Sequence, residues 1–339
     1  MARDRHRVLF YTLSGDTTAA QAILDEWGVG EQIELVGVSH GVFVPVTEGA
    51  ADELARGCDA IVNEIAGLSA AGARAVAESG ARLFASLSIG INHIDVDALT
   101  REGVLLTNCP GYCAEDVALH AVALMLDLMR KVTASNLDTR AGRWNPYFGY
   151  PVHRPAGRTL GLVFFGHIAQ KVAPIAHALG MSVVVWAPTK SAEEIADAGC
   201  EKVDSLDELL VRSDVVSLHC PLIPLTENLI GARELTLMGP DAFLINTARG
   251  GCVDEEALLE ALEKGTIRGC GLDCLTRERE LTATERAIVA HPRAIVTPHS
   301  AFVSEEATDE LLRMGLRSVK ELLVDGTMPT HALNPEALR

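Results

Sequence analysis

The stretch Gly161-Leu-Val-Phe-Phe-Gly-His-Ile-Ala-Gln-Lys-Val-Ala173 decides the fold. It reads as a buried strand, a tight loop and the opening of a helix, the arrangement in which unpaired backbone N–H groups hold the pyrophosphate of a dinucleotide. Two of the three glycines of a G-x-G-x-x-G loop are missing, and Gly166, where backbone must approach phosphate closely, is kept.

Outward from this loop the chain alternates. Strand candidates are Leu160 to Phe164, Ser182 to Trp186, Val215 to His219, Ala242 to Asn246, Cys270 to Asp273 and Ala294 to Thr297. Six strands with helices between them predict a doubly wound parallel sheet. The first hundred or so residues repeat the theme, with strand candidates Val8 to Tyr11, Ile33 to Val38, Ala60 to Val62, Arg82 to Ser86 and Val104 to Thr107. Pro110-Gly111 breaks the pattern, and one long helix is expected from Ala114 to Ser135. Its wide apolar stripe suits burial within a subunit or a contact between subunits, and the arm Arg140 to Tyr150, with Trp144, Tyr147 and Phe148, could reach a partner. After His299 only one more helix is expected, Glu305 to Val324; if it packs back on the first domain, that domain is discontinuous. The expected fold is α/β, with two doubly wound, Rossmann-like or flavodoxin-like, parallel-sheet domains: 1–107 with 300–339, and 108–299.

A chain of 339 residues exceeds one ordinary core, in keeping with two domains. The net charge of −17 argues against nucleic acid as a partner, because displacing counterions from phosphates needs basic patches. Small acidic metabolites stay open, since a few cationic groups dominate the field inside a cleft. The amino-terminal residues lack the apolar run and cleavage site of a secretory signal, and no apolar stretch is long enough to span a bilayer. A soluble cytoplasmic protein is expected. The eight cysteines are scattered without paired C-x-x-C knuckles. Cys109, Cys113 and His120 could in principle approach one metal, but reduced thiols are the ordinary use of such residues, and no metal is assigned.

Three strand ends carry the chemistry. Arg249 follows a buried strand at the carboxyl edge, where open α/β sheets bind ligands, and its fork suits a 2-oxo acid; a structural salt bridge is the plain alternative. Asp273 and Glu278 follow the next strand, and His299 the one after. A carboxylate beside an imidazole fixes its orientation, as a proton donor to a carbonyl requires.

With Asn246-Thr-Ala-Arg-Gly-Gly251, Gly271-Leu-Asp273 with Glu278, and Thr297-Pro-His299 in view, the chain resembles the D-isomer-specific 2-hydroxyacid dehydrogenases. Val215-Val-Ser-Leu-His-Cys-Pro-Leu222 with Thr226, and Ser88-Ile-Gly-Ile-Asn-His-Ile-Asp95, support the likeness. Pro110-Gly-Tyr-Cys-Ala-Glu-Asp-Val-Ala-Leu-His120 is similar to the branch holding C-terminal-binding proteins and their bacterial relatives. The resemblance implies that Arg249 binds the substrate's carboxylate and carbonyl, that His299 moves the proton and that Glu278 supports it. Backbone N–H groups of Ser88, Ile89 and Gly90 would hold the carboxylate's other side. Gly166, His167 and Ile168 would carry the pyrophosphate of NAD or NADP. Ala187, Cys220, Pro221 and Thr226 would line the adenosine pocket, and Thr247, Ala248 and Asp273 would lie beside the nicotinamide. It also implies the discontinuous domain, a cleft between domains and a homodimer built on the long helix.

The implied activity is NAD(P)-dependent hydride transfer between a small 2-oxo acid and a D-2-hydroxy acid. The alternative is a non-catalytic dinucleotide-sensing or corepressor-like protein on the same fold. Phe164 stands where the chain turns tightly, and Ala187 where an acid usually holds the ribose. Leu119 replaces a usual Glu, and Arg279 a usual Pro.

Overall fold

The computed structural model describes residues 5–40 and 44–338; residues 1–4, on which part of the reading of the amino terminus rests, lie outside it. The chain divides into two compact units, Met1–Tyr112 with Ser304–Arg339, and Cys113–Val303. The crossings fall a few residues later in the chain than the expected ones.

The first unit holds β1 (His6–Thr12), β2 (Ile33–Ser39), β3 (Ala60–Asn63), β4 (Leu83–Ser86) and β5 (Leu105–Thr107). They form a parallel sheet in the order β2-β1-β3-β4-β5. Neighbouring residues of one strand serve opposite cores, as a period of two demands. Val8 and Phe10 pack with Leu24 and Leu316, whereas Leu9 and Tyr11 pack with Val76 and Leu99. Strands covered on both faces are largely apolar, and β3, β4 and β5 are wholly buried, each ending in one buried polar residue, Asn63, Ser86 and Thr107.

The chain returns to this unit through the helix Glu305–Val319 and the π turn Lys320–Val324. At Gly315 a Cβ would stand 2.3 Å from Leu87 Cδ2, so glycine lets the helix sit close to the sheet. Asn334, 1% exposed, then accepts from the N–H of Leu106 (2.6 Å) and donates to Val104 O (3.1 Å) and Thr100 Oγ1 (2.8 Å).

The second unit holds β6 (Thr159–Val163), β7 (Ser182–Trp186), β8 (Glu201–Lys202), β9 (Val215–Leu218), β10 (Phe243–Asn246), β11 (Gly269–Leu272) and β12 (Ala294–Val296). The parallel order is β12-β11-β10-β9-β6-β7-β8. The chain runs outward from β6 to β8 and then crosses to β9 on the other side of β6. The switch point therefore lies between β6 and β9, where such sheets bind ligands. Seven strands replace the six expected; β8 is a two-residue edge whose charged sequence gave no strand signal.

The expected helix Ala114 to Ser135 is two helices, Ala114–Arg130 and Val132–Arg140, broken at Lys131 with φ 57°. The Lys131 ammonium explains the break, because it donates to the carbonyls of Phe148 (2.5 Å) and Tyr150 (2.9 Å) and anchors the following arm. Most of the stripe of the first helix is spent inside the unit: Ala118, Ala121, Val122, Leu124, Met125 and Leu128 are all buried. Leu119, Trp144 and Tyr147 remain exposed, by 59, 88 and 90%. Among the described residues no helix is long and apolar enough to cross a membrane.

Candidate active site

Arg249 sits three residues past β10, in a loop that Asn246 braces. Asn246, 1% exposed, donates from Nδ2 to Arg249 O (2.9 Å) and accepts from the N–H of Ala248 (3.0 Å). The Arg249 guanidinium donates to Ala248 O at 2.6 Å and is half-buried. Beside it, a Cβ on Gly250 would lie 2.1 Å from the carbonyl carbon of Leu275, so the Arg249 loop and the Leu275–Glu278 segment pack backbone to backbone. This bracing by Asn246 is a role the sequence reading did not assign to it. Its signal was a polar residue ending the apolar run Phe243-Leu-Ile.

Glu278 and His299 meet directly. Both carboxylate oxygens accept from His299 Nδ1, at 2.9 and 3.0 Å. A carboxylate only accepts, so the proton on that side sits on Nδ1 and Nε2 is the atom left to face a reactant. Both side chains keep contact with solvent, at 41% for His299 and 38% for Glu278. His299 itself adopts the left-handed conformation, φ 52°, with its ring edge-on to Phe302.

Arg249 makes no hydrogen bond to this pair, yet one buried group feels both its charge and that of Glu278. Burial pushes the Cys274 thiol well up, Glu278 and Asp273 add to the rise, and the Arg249 cation opposes it. The Arg249 charge also reaches Cys252, whose thiol is drawn below its ordinary value first by the donating Cys220 thiol 3.7 Å away and then by the guanidinium. A cation, a carboxylate and an imidazole thus share one end of the sheet formed by β10, β11 and β12.

The other candidate residues of this unit follow the carboxyl ends of β6, β7, β9, β10 and β11. Gly166 opens the helix His167–Ala178 and supplies no side-chain cap, and a Cβ placed on it would meet nothing within 4 Å. Open space above an uncapped helix start, with the N–H groups of His167 and Ile168 turned to it, is what a pyrophosphate requires. The residues present therefore fit a dinucleotide at this point.

Phe164 fits it less well. It takes φ 69°, the left-handed turn a glycine would make freely, donates its N–H to Trp186 O (2.8 Å) and sets its ring edge-on to the Trp186 ring at 5.8 Å. Ala187 follows Trp186 and is 1% exposed. Lys190 is paired with Glu194 at 2.8 Å, and Ser191 caps the helix Ala192–Asp197.

Cys220, Ala248 and Thr226 are buried at 4, 9 and 0%, and Thr247 is half-buried with its Oγ1 unpartnered. Thr226 ties its own loop, accepting from the N–H of Ile223 (2.9 Å) and donating to Pro221 O. Asp273 is 2% exposed and its carboxylate faces the His299 loop.

In the first unit, Ser88, Ile89 and Gly90 follow β4. All three carbonyls are occupied: by Cys109 N–H (2.9 Å), Asn108 Nδ2 (2.8 Å) and Ser88 Oγ (2.9 Å) respectively. The amides are the donors this loop has left to offer. The three metal candidates do not form a ligand set. Cys109 in the first unit donates to Ser86 O and Leu311 O, and His120 in the second meets Thr297. Among the described residues no three acidic, His or Cys side chains are grouped to hold a metal.

Comparison with known proteins gives this geometry its context. Residues 122–301 match the NAD binding domain of the D-isomer specific 2-hydroxyacid dehydrogenases. A glycerate dehydrogenase of Methylorubrum extorquens is 39% identical over 67% of this chain and 71% of its own length. A glyoxylate reductase of Thermococcus litoralis is 33% identical over 76% of this chain and 78% of its own. The NAD-complexed D-isomer specific 2-hydroxyacid dehydrogenase of Lactobacillus delbrueckii ssp. bulgaricus superposes with a TM-score of 0.77, at 27% identity, over 97% of this chain and all of that one. With a strand-end arginine, a Glu-supported histidine and a glycine-opened helix on one parallel sheet, the chain belongs to the D-isomer-specific 2-hydroxyacid dehydrogenase family.

Proposed function

We propose that this NAD(P)-dependent oxidoreductase reduces a small 2-oxo acid to the D-2-hydroxy acid, with His299 as proton donor, Glu278 as its support and Arg249 as the substrate clamp. The observation that carries the reading is the Glu278 carboxylate on His299 Nδ1, which leaves Nε2 to hold the proton for a carbonyl oxygen. When bound, the dihydronicotinamide supplies the hydride to the carbonyl carbon. Arg249 pairs with the substrate carboxylate and lies close enough to the carbonyl to polarise it. In the first unit, the amides of Ser88, Ile89 and Gly90 are donors suited to a carboxylate oxygen. Gly166, His167 and Ile168 carry the pyrophosphate, while Ala187, Cys220, Pro221, Thr226, Thr247 and Ala248 shape the wall around adenosine and nicotinamide. A merely sensing protein has no use for the Glu278–His299 pair, so the alternative loses its ground.

The protein works as a homodimer in the cytoplasm. None of its eight cysteines is in a disulfide, as suits a reducing compartment. The dimer forms on the helices Ala114–Arg130 and Val132–Arg140 and the arm that follows them, where Leu119, Val132, Leu137, Trp144 and Tyr147 are exposed. The experiment that tests the activity is a titration of the purified protein with NADH and NADPH, followed by a screen of 2-oxo acids beginning with glyoxylate. Reduction of none of them, with cofactor bound, would end the reading. A chain that sediments as a monomer at micromolar concentration would end the dimer.

A further inference from the structure

His299 lies in a backbone region that only glycine enters freely, so something must hold it there. The holding group is Asp273, immediately after β11. Its Oδ1 accepts from Thr297 Oγ1 (2.5 Å) and from the N–H of Ser300 (3.0 Å), and its Oδ2 from the N–H of Ala301 (2.9 Å). Donors from both sides of His299 thus converge on one carboxylate. The loop between them is tightened further by His299 N–H donating to Thr297 O at 3.0 Å.

The network has one more member. Thr297 Oγ1 has a single proton, and Asp273 takes it, so the 2.9 Å contact between Thr297 Oγ1 and His120 Nε2 is one in which the imidazole donates. The helix Ala114–Arg130 brings His120 to this place, and its Nε2 also lies 3.5 Å from Asp273 Oδ1. The N–H and O–H groups therefore point one way, from His120 to Thr297 to Asp273.

We infer that Asp273, Thr297 and His120 are positioning residues for the reaction: together they clasp the 297–301 loop and aim the His299 imidazole. Glu278 fixes the ring from its Nδ1 side and the clasp fixes the backbone that carries it, so the two act on different freedoms of the same residue. Three donors on its two oxygens, in a residue 2% exposed, fix the Asp273 carboxylate against the loop. The inference rests on His299 being the proton donor.

The test compares Thr297→Val, which removes the hydroxyl at constant shape, with Thr297→Ser, which keeps it, using NADH and glyoxylate or the best 2-oxo acid found. Thr297→Val should lower kcat by about a hundredfold, the cost of a misplacement of about 1 Å, with KM and the NADH Kd little changed. Thr297→Ser should restore most of the turnover. In spectra of protein carrying ¹⁵N-histidine, the His299 signals should move in Thr297→Val and return in Thr297→Ser. In a His299→Ala background Thr297→Val should cost nothing more. Wild-type kcat and unmoved His299 signals in Thr297→Val would overturn the clasp. Weaker NADH binding with kcat intact would also overturn it, since the network would then serve cofactor binding and not the aim of the His299 ring. Full turnover in His299→Ala alone would instead bring down the proton-donor reading, and this positioning role with it.

Discussion

Two residues of the seven-stranded unit sit in the left-handed region just past a strand end, and they are held in opposite ways. His299 is gripped by polar groups: Glu278 on the Nδ1 side of its ring, and Asp273 on the residues before and after it. Phe164 is held by one backbone bond to Trp186 O and an edge contact with that ring. Each conformation costs about 1–3 kcal/mol and survives only where the surroundings over-determine it. At the reaction end the determination is electrostatic and directional; at the cofactor loop it is packing, which tolerates change more readily. The same sheet can therefore keep its chemistry to the residue while its phosphate loop drifts from glycine.

The sharpest way to break this contrast is at the reaction end. His299→Ala and Arg249→Ala should each lower kcat by about a hundredfold to ten-thousandfold, read as initial rates at saturating cofactor. A His299→Ala enzyme near wild type would leave the reaction end no more special than the loop. Glu278→Gln should cost less than either, because an amide oxygen still accepts from Nδ1 while the charge is gone; equal losses would mean the charge, not the orientation, is what matters.

On the cofactor side, His219 follows β9 with Nε2 on Ser217 Oγ (2.9 Å), and burial pushes its imidazole down to about 4. The unfolded chain, with its ordinary value near 6.5, then takes up the proton first. Stability should fall as pH drops from about 6.5 to about 4 and change no further below, by at most about 3 kcal/mol at 1.36 kcal/mol per unit. Urea melts across that window should flatten in His219→Gln. An identical slope would place the acid sensitivity elsewhere.

The smallest effect concerns Phe164. Phe164→Ala keeps the left-handed strain and loses the ring, whereas Phe164→Gly loses the ring and the strain together. Glycine should therefore be the more stable of the two by about 1 kcal/mol, the reverse of the usual order. Alanine at least as stable as glycine in urea titrations would show that Phe164 carries no strain and that the contrast with His299 is one of chemistry alone.

The strand ends were legible because parallel strands buried on both faces read as apolar runs, and Arg249, Glu278 and His299 each follow one. Phe164 was legible as a misfit, since the loop motif asks for glycine there. The rest was hidden for physical reasons. Lys131 breaks the long helix through carbonyls roughly twenty residues away, a pull with no local signal. The edge strand β8 has two charged residues and no pattern. His120, Thr297 and Asp273 come from a helix and two strand ends, so only the folded chain brings them together.

The interrupted first unit also sets a timetable for synthesis. Its five strands emerge first, but its closing helix and Asn334, which satisfies the buried Leu106 N–H and Val104 O, are encoded after the whole seven-stranded unit. At about 5–20 residues per second the ribosome leaves that sheet unfinished for roughly 10–40 s. The second unit is contiguous and needs no such wait. During that interval β5 presents an unsealed edge next to the apolar surface that Leu316 and Val319 will later cover, an exposure that favours aggregation until the closing helix is made.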